Sequence, residues 1–303
     1  MRRIGVVIAL PESDPELQKW ISAFRNGLEK SGWSDGHNVN IDYRFAPAGA
    51  GAPKIAKELL ALQPDVILAF STPVAAAFQR ETSTIPVVFI GIADAVGQGF
   101  VRTLAQPEAN LTGLTMFEAS VAGKWLSMLK EIEPQIARVG LVANPKTAPY
   151  FDFYLKGAEL AGPSLAIEPV LIAIENDAAD VRRAVDVFAR GVSKGGLVVL
   201  GDSTTNAHRD LIVSLAAQYR LPAVYWHRFI VAAGGLMSYG VDWVHEFGQV
   251  AFYVDRILRG AKPTDLPVQA ATKFETVLNI RTAKALGLAI PAGLLVAADE
   301  VIE

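Results

Sequence analysis

The chain has 303 residues, 51% of them hydrophobic, with 25 Gly and 17 Pro, which fits a compact α/β protein and argues against disorder. A net charge of −3 without any basic run removes the electrostatic motive for nucleic-acid binding. The absence of Cys excludes a disulfide framework, a thiol nucleophile and a thiolate metal site, and no apolar run approaches the ~20 residues that span a bilayer. The length suggests two domains.

Met1, Arg2 and Arg3 lead into an apolar stretch over 4–10 that stops at Pro11 and Glu12. A basic start before an apolar run imitates a secretory leader. This run is short and lacks an Ala-x-Ala site, so it reads as a first buried strand. Either the protein is cytoplasmic or a leader has been trimmed from it. A helix follows whose Leu17, Trp20, Ile21, Phe24 and Leu28 share one face, with Asp14 and Pro15 as its start signal and Gly32 as its stop. Asp35 and Gly36 turn the chain into an alternating strand over 39–45. Then come a helix over 54–62, strand 66–70, helix 74–80, and strands 87–91 and 111–115. A helix over 121–132 places Trp125, Leu129 and Ile132 on one face. The alternation resumes with strand 139–143, a helix near 154–161, strand 166–172, helix 179–189 and strand 197–200. A helix over 209–219, strands near 223–226 and 236–238, and an amphipathic helix over 243–258 complete it. Beyond a turn rich in Pro and Gly, the chain is extended over 268–279, forms a short helix over 281–286 and runs as a tail to Glu303. Such alternation means parallel sheets with helices on both faces.

Two stretches repeat one pattern. The run over 65–70 ends in Ser71, Thr72 and Pro73 and is followed, after a helix, by Ile85 and Pro86 opening another apolar run. The run over 196–200 ends in Gly201, Asp202, Ser203, Thr204 and Thr205 and is followed by Leu221 and Pro222 opening its own. Each is a βαβ unit with polar groups at the carboxyl end of its first strand, where open α/β sheets bind ligands. The expected fold is therefore two Rossmann-like, doubly wound lobes joined by a three-segment hinge near 115–118, 238–242 and 271–276. One lobe takes 1–116 plus 241–270, and the other 117–240 plus 271–303.

No catalytic constellation assembles. Gly97, Gln98 and Gly99 are only a fragment of a dinucleotide fingerprint. His208, Arg209, Asp210 and Leu211 imitate part of a kinase catalytic loop, but Leu215 stands where Asn is needed. His37, His208, His227 and His245 have no metal-ligand spacing. The sequence calls for no cofactor and no metal. Ser71 and Thr72 lie where a strand gives way to a helix, so they fit both an ordinary N-cap and an anion site. Asp202 fits both a cap and a partner for a ligand ammonium. Asn144 and Asp94 follow strands and face the same rim. Phe117, Tyr150, Phe151, Phe153, Tyr225, Trp226 and Tyr239 are candidate aromatic walls, although aromatic stripes are more often core. Tyr150 is singled out because it follows a proline-rich turn, a poor place for core.

These residues carry a resemblance. The run Arg3-Ile4-Gly5-Val6, the run Phe24-Arg25-Asn26-Gly27-Leu28 with Gly32 and Trp33, Pro64-Asp65-Val66-Ile67, and Ala93-Asp94-Ala95-Val96-Gly97 contribute to it. So do Asn110-Leu111-Thr112-Gly113, Asn144-Pro145, Gly235-Leu236-Met237-Ser238-Tyr239-Gly240 and the ending around Ala283 to Leu288 with Ile290 and Pro291. In order and spacing they resemble the ABC transporter substrate-binding proteins of the tryptophan- and tyrosine-binding group, with a type I periplasmic binding protein fold. The resemblance implies a monomeric periplasmic receptor, its leader removed, that hands a small solute to a membrane ABC permease. It also implies that Ser71 and Thr72 take the ligand carboxylate. The mechanism expected from the residues is hinged closure, with Asp202, Asn144 and the aromatic walls Tyr150, Trp226 and Tyr239 supplied by the other lobe and Asp94 at the same rim. Departures are Ala95, where relatives often carry Pro, and the aromatic stretch from Tyr150 to Phe153. A ligand-sensing regulatory core and an α/β enzyme are the alternatives; the first normally carries a DNA-binding helix pair ahead of the fold.

Overall fold

The structure, a computed structural model, describes residues 1–116 and 119–303. Phe117 and part of the first expected hinge segment lie outside the described residues. The chain begins with β1 (Arg2–Ile8), α1 (Pro15–Lys30), β2 (Val39–Phe45), α2 (Ala52–Leu60), β3 (Val66–Phe70), α3 (Thr72–Glu81), β4 (Val87–Ile92) and β5 (Leu111–Thr115). It continues through α4 (Val121–Ile132), β6 (Arg138–Ala143), α5 (Phe151–Leu165), β7 (Glu168–Ala173), α6 (Ala178–Arg190) and β8 (Gly195–Val199). Next are α7 (Ser203–Ala207), α8 (Arg209–Gln218), β9 (Ala223–Tyr225), α9 (Arg228–Ala232), β10 (Met237–Val241) and α10 (Trp243–Leu258). The last elements are β11 (Gln269–Ala270), β12 (Phe274–Asn279), α11 (Ile280–Leu286), α12 (Ala292–Ala297) and β13 (Glu300–Ile302).

The contacts divide the chain into two compact units, Met1–Glu118 with Asp242–Lys273, and Ala119–Val241 with Phe274–Glu303. The backbone thus passes from one unit to the other three times. The first unit holds a parallel sheet in the order β2-β1-β3-β4-β5-β11. The second holds β7-β6-β8-β9-β10 in parallel, to which β12 adds antiparallel and β13 parallel to β12. The first five strands of each sheet therefore follow one order, and β3 and β8 occupy the same place in it.

The central strands β3, β5 and β8 are buried at every residue, as strands covered by helices on both faces must be. In α1, the Asp14 carboxylate accepts the Glu16 and Leu17 N–H groups at 2.9 and 3.4 Å and fixes the start. Its apolar face, Leu17, Trp20, Ile21, Phe24 and Leu28, is buried and packs on α10. The extended stretch 268–279 is divided: β11 joins the first sheet and β12 the second. Four elements escape the sequence reading. These are α7, α9, α12 and β13, each of six residues or fewer, too short for a periodicity to register.

Candidate functional site

In a sheet ordered 2-1-3-4-5 the chain leaves strand 1 toward opposite sides, and the crevice outside the carboxyl ends of strands 1 and 3 is where such sheets take ligands. In the first unit that crevice lies between the loops after β1 and β3. In the second it lies between the loops after β6 and β8. The two crevices are chemically different.

In the first unit, β3 passes directly into α3 with Ser71 as N-cap. Ser71 has φ +92° and ψ 154°, a region that glycine alone visits freely. Its side chain makes no capping bond. The Ser71 Oγ and the adjacent Thr72 Oγ1 are both buried without a hydrogen-bond partner, and Thr72 as a whole is 7% exposed. Pro73 brings no N–H, and the Thr72 and Val74 amides lie in a first turn that lacks intrahelical acceptors. The two hydroxyls and these amides all belong to the positive end of a 10-residue helix. A buried unpartnered hydroxyl costs about 1–3 kcal/mol; here there are two side by side.

In the second unit the equivalent N-cap is Asp202, and it is fully occupied. Its Oδ1 accepts the Thr204 and Thr205 N–H groups at 2.6 and 3.0 Å and the Thr147 hydroxyl at 3.1 Å. Its Oδ2 accepts the Asn144 N–H at 3.2 Å, across the crevice from β6 to β8. The Asn144 amide donates to the Thr204 hydroxyl at 2.9 Å, while its Oδ1 accepts the Lys146 N–H at 2.9 Å. Asp202 is 5% exposed and Asn144 2%. Burial pushes the Asp202 carboxyl above its ordinary pKa, against the pull of the donors around it. The placement makes Asp202 and Asn144 the latch of their own loops, in contrast to the expectation of a free carboxylate awaiting an ammonium.

Tyr150 also differs from expectation. It is 7% exposed, and its hydroxyl donates to the Gly201 carbonyl. Burial pushes the phenol well above its usual pKa, and the Asp202 charge adds to this. The proline-rich turn before it leads into α5, and Tyr150, as the N-cap of that helix, packs its ring against Tyr154 with centroids 6.0 Å apart. Trp226, 5% exposed, covers Gly201 so closely that a Cβ there would sit 2.6 Å from the indole, and its Nε1 donates to the Asn206 side chain at 3.1 Å. Asp94, with φ +47°, accepts the Gly97 N–H at 2.8 Å and closes the turn after β4. Tyr239 is half-buried on β10 and stacks on Phe274 at 5.4 Å, beside the third chain crossing. Ser71 and Thr72 are thus brought together in one unit, and Asn144, Tyr150, Asp202 and Trp226 in the other.

Two features were not anticipated. Phe70, Trp20, Trp243 and Phe247 form an aromatic cluster directly behind Ser71, with centroids 5.2–5.7 Å apart. Glu246 is 4% exposed, and its carboxylate accepts the Thr272 N–H. A wheel drawn on α10 would have found it, since 246 falls on the face of Trp243 and Val250. Among the described residues no group of three or more His, Cys, Asp or Glu could hold a metal ion.

Two doubly wound units, each with a polar crevice at its switch point, define a receptor build of the type I binding-protein class. Over residues 4–302 the chain matches the family of ABC transporter substrate binding proteins. A crystal structure of a conserved domain protein from Vibrio cholerae is similar over 99% of both chains, at a TM-score of 0.89 and 30% identity. An ABC domain from Streptococcus pneumonia, solved in complex with L-Trp, is similar over 99% of both chains at a TM-score of 0.86 and 25% identity. A tyrosine-binding protein of Clostridioides difficile (strain R20291) is 24% identical over 278 residues, 90% of this chain and 78% of that protein. The chain belongs to the ABC transporter substrate-binding protein family. Its work is solute binding outside the cytoplasm for an ABC transporter, not turnover. No helix among the described residues is long and apolar enough to cross a membrane.

Proposed function

We propose that the protein captures an α-amino acid, an aromatic one by preference, and that the ligand carboxylate is held by Ser71, Thr72 and the first turn of α3. The observation that carries this reading is the pair of buried, unpartnered hydroxyls at that helix start. A carboxylate supplies the missing acceptors and meets the helix dipole with the right sign. Similarity to an L-Trp complex and to a tyrosine-binding protein supports the amino-acid class. Asp202, Asn144, Tyr150 and Trp226 serve by stiffening the second unit's loop, Asp94 by shaping the rim after β4, and Tyr239 as a half-buried aromatic surface near the crossing strands. The receptor acts as a monomer in the periplasm, after removal of a leader, and delivers its solute to a membrane permease.

Calorimetric titration tests the reading with L-Trp, L-Tyr, indole-3-propionate, tryptamine and tyramine. The carboxylate-bearing compounds bind and the two amines do not. Ser71→Ala with Thr72→Ala weakens binding at least tenfold, since a hydrogen bond to a charged group is worth about 1.5–3 kcal/mol. Tryptamine binding as tightly as L-Trp, or the double variant binding like wild type, defeats the proposal.

A further inference from the structure

The N-cap is the same structural position in both units, yet Asp202 caps its helix while Ser71 does not. Ser is among the best N-cap residues, so something withholds its hydroxyl. Among the described non-glycine residues with positive φ, Gln63, Asp94, Ala166 and Arg220 lie at 47–51°, within the left-handed basin, and Ser71 alone at 92°. A residue stays in so costly a conformation only where its surroundings over-determine it.

Those surroundings are visible on both sides of Ser71. Behind it, the Phe70 ring is wedged among Trp20, Trp243 and Phe247. It also lies against Gly91 at the end of β4, where a Cβ would come within 3.0 Å of the ring. Ahead of it, Pro73 abuts Gly49, in the turn after β2, where a Cβ would lie 2.6 Å from the Pro73 Cβ. Gly49 and Gly91 have φ +72° and +76°, so both approaches depend on glycine. The Ser71 N–H is tied to the Ile90 carbonyl at 3.0 Å, and its own carbonyl accepts the Ala75 N–H at 3.0 Å. The residue is gripped from front and rear, with its backbone pinned at both ends.

We infer that Gly49–Pro73 and Phe70–Gly91 are positioning pairs that hold Ser71 out of its capping conformation and so keep its hydroxyl and the α3 amides for a ligand. Loosening the grip lets Ser71 relax into a cap, as Asp202 does in the other unit. The first turn of α3 is then satisfied internally. Such variants fold as well as wild type and bind less. The functional meaning rests on the carboxylate reading above; the geometry of the grip does not.

The test is a stability cycle with a binding arm, on the full chain. Ser71→Gly, placing in that conformation the one residue that adopts it freely, raises the thermal midpoint by roughly 2–5 °C. Pro73→Ala keeps the Cβ that faces Gly49 but removes the rest of the ring and its fixed φ, and so loosens the forward contact at a helix position that accepts Ala. In the Pro73→Ala background Ser71→Gly gives no such gain, because Ser71 has already relaxed. L-Trp affinity falls about tenfold in Pro73→Ala, and adding Ser71→Ala to it costs little more. Equal stabilisation by Ser71→Gly in both backgrounds overturns the inference whatever the ligand data show. Non-additive stability together with unchanged L-Trp affinity in Ser71→Ala upholds the grip and overturns the carboxylate reading instead. Phe70→Leu, which loosens the rear contact with Gly91 and the aromatic cluster, repeats the cycle if Pro73→Ala folds poorly.

Discussion

Replacing Glu246 by Gln probes how the first unit is fastened where the chain crosses. Asp242 and Lys273 flank two of the crossings and are tied by an ion pair at 2.9 Å and by the Asp242 N–H to Lys273 carbonyl bond at 3.0 Å. Glu246 adds the bond from the Thr272 N–H while buried in the first turns of α10. Burial raises its pKa from 4.5 to about 7 against the pull of that bond, and the Asp242 charge adds to the rise. Burial alone would also raise Asp242, but the His245 N–H and Lys273 more than offset it, so Asp242 titrates below the ordinary range and cannot imitate Glu246. Because the folded pKa of Glu246 exceeds the unfolded one, its stabilisation is fully present below about 4.5 and is lost as pH rises through about 7. At about 1.4 kcal/mol per pH unit the loss comes to about 3.5 kcal/mol. Gln keeps an acceptor for Thr272 and never ionises. For a unit of this size each kcal/mol moves Tm by roughly 2–4 °C. Melts by circular dichroism from pH 4.5 to 8.5 therefore show variant and wild type nearly equal at the acid end. At pH 8 the variant is the more stable by roughly 7–14 °C. Parallel profiles across the whole range would refute the reasoning.

Other substitutions test the second unit's latch and the surface pair at the crossing. Asp202→Ala strips acceptors from Thr204, Thr205, Thr147 and Asn144; with the cap lost as well, melts register a loss of about 2–3 kcal/mol. Tyr150→Phe leaves the Gly201 carbonyl without its donor and costs about 1–2 kcal/mol by the same measurement. Lys273→Ala costs under about 1 kcal/mol, shrinking further in high salt, because the Lys273 side chain is 60% exposed.

The sequence disclosed the repeat because parallel βαβ units write it twice in apolar runs, and the sheets bear this out down to the matching places of β3 and β8. It disclosed where the polar loops fall, since a strand's carboxyl end is marked by the change from apolar to hydroxyl residues. What those loops do was not legible. A Ser that caps a helix and a Ser denied its cap are the same letter, and the difference here lies in contacts to Gly49 and Gly91, which stand about twenty residues away on either side. Tyr150 misled for a related reason: a ring after a proline turn looks exposed until a distant carbonyl, that of Gly201, is found to receive its hydroxyl. The helix α7 was missed because Ser203, Thr204 and Thr205 are poor helix formers, held in place by the Asp202 capping box.

The contrast between the two crevices bears on how a binding protein of this size can tolerate an exacting site. In the second unit every acceptor on Asp202 and the Asn144 side chain is matched within the loop, so the network stiffens itself and contributes to stability. In the first, two hydroxyls are left unmatched and one backbone residue is strained, each a cost of about 1–3 kcal/mol. Against a total stability of only about 5–15 kcal/mol, a chain could not leave both crevices in that condition and remain folded. A repeat offers a way out, because one copy can be locked while the other is kept open. On this account, copying the Asp202 solution into the first unit, as Ser71→Asp in the Pro73→Ala background that frees the backbone at 71, is a stabilising change that abolishes carboxylate binding. The introduced side chain supplies its own cap and repels the ligand's charge. A Ser71→Asp, Pro73→Ala protein that melts higher than Pro73→Ala alone and no longer responds to L-Trp is the expected result, and one that melts lower contradicts the idea that the first crevice is kept open at the expense of the fold.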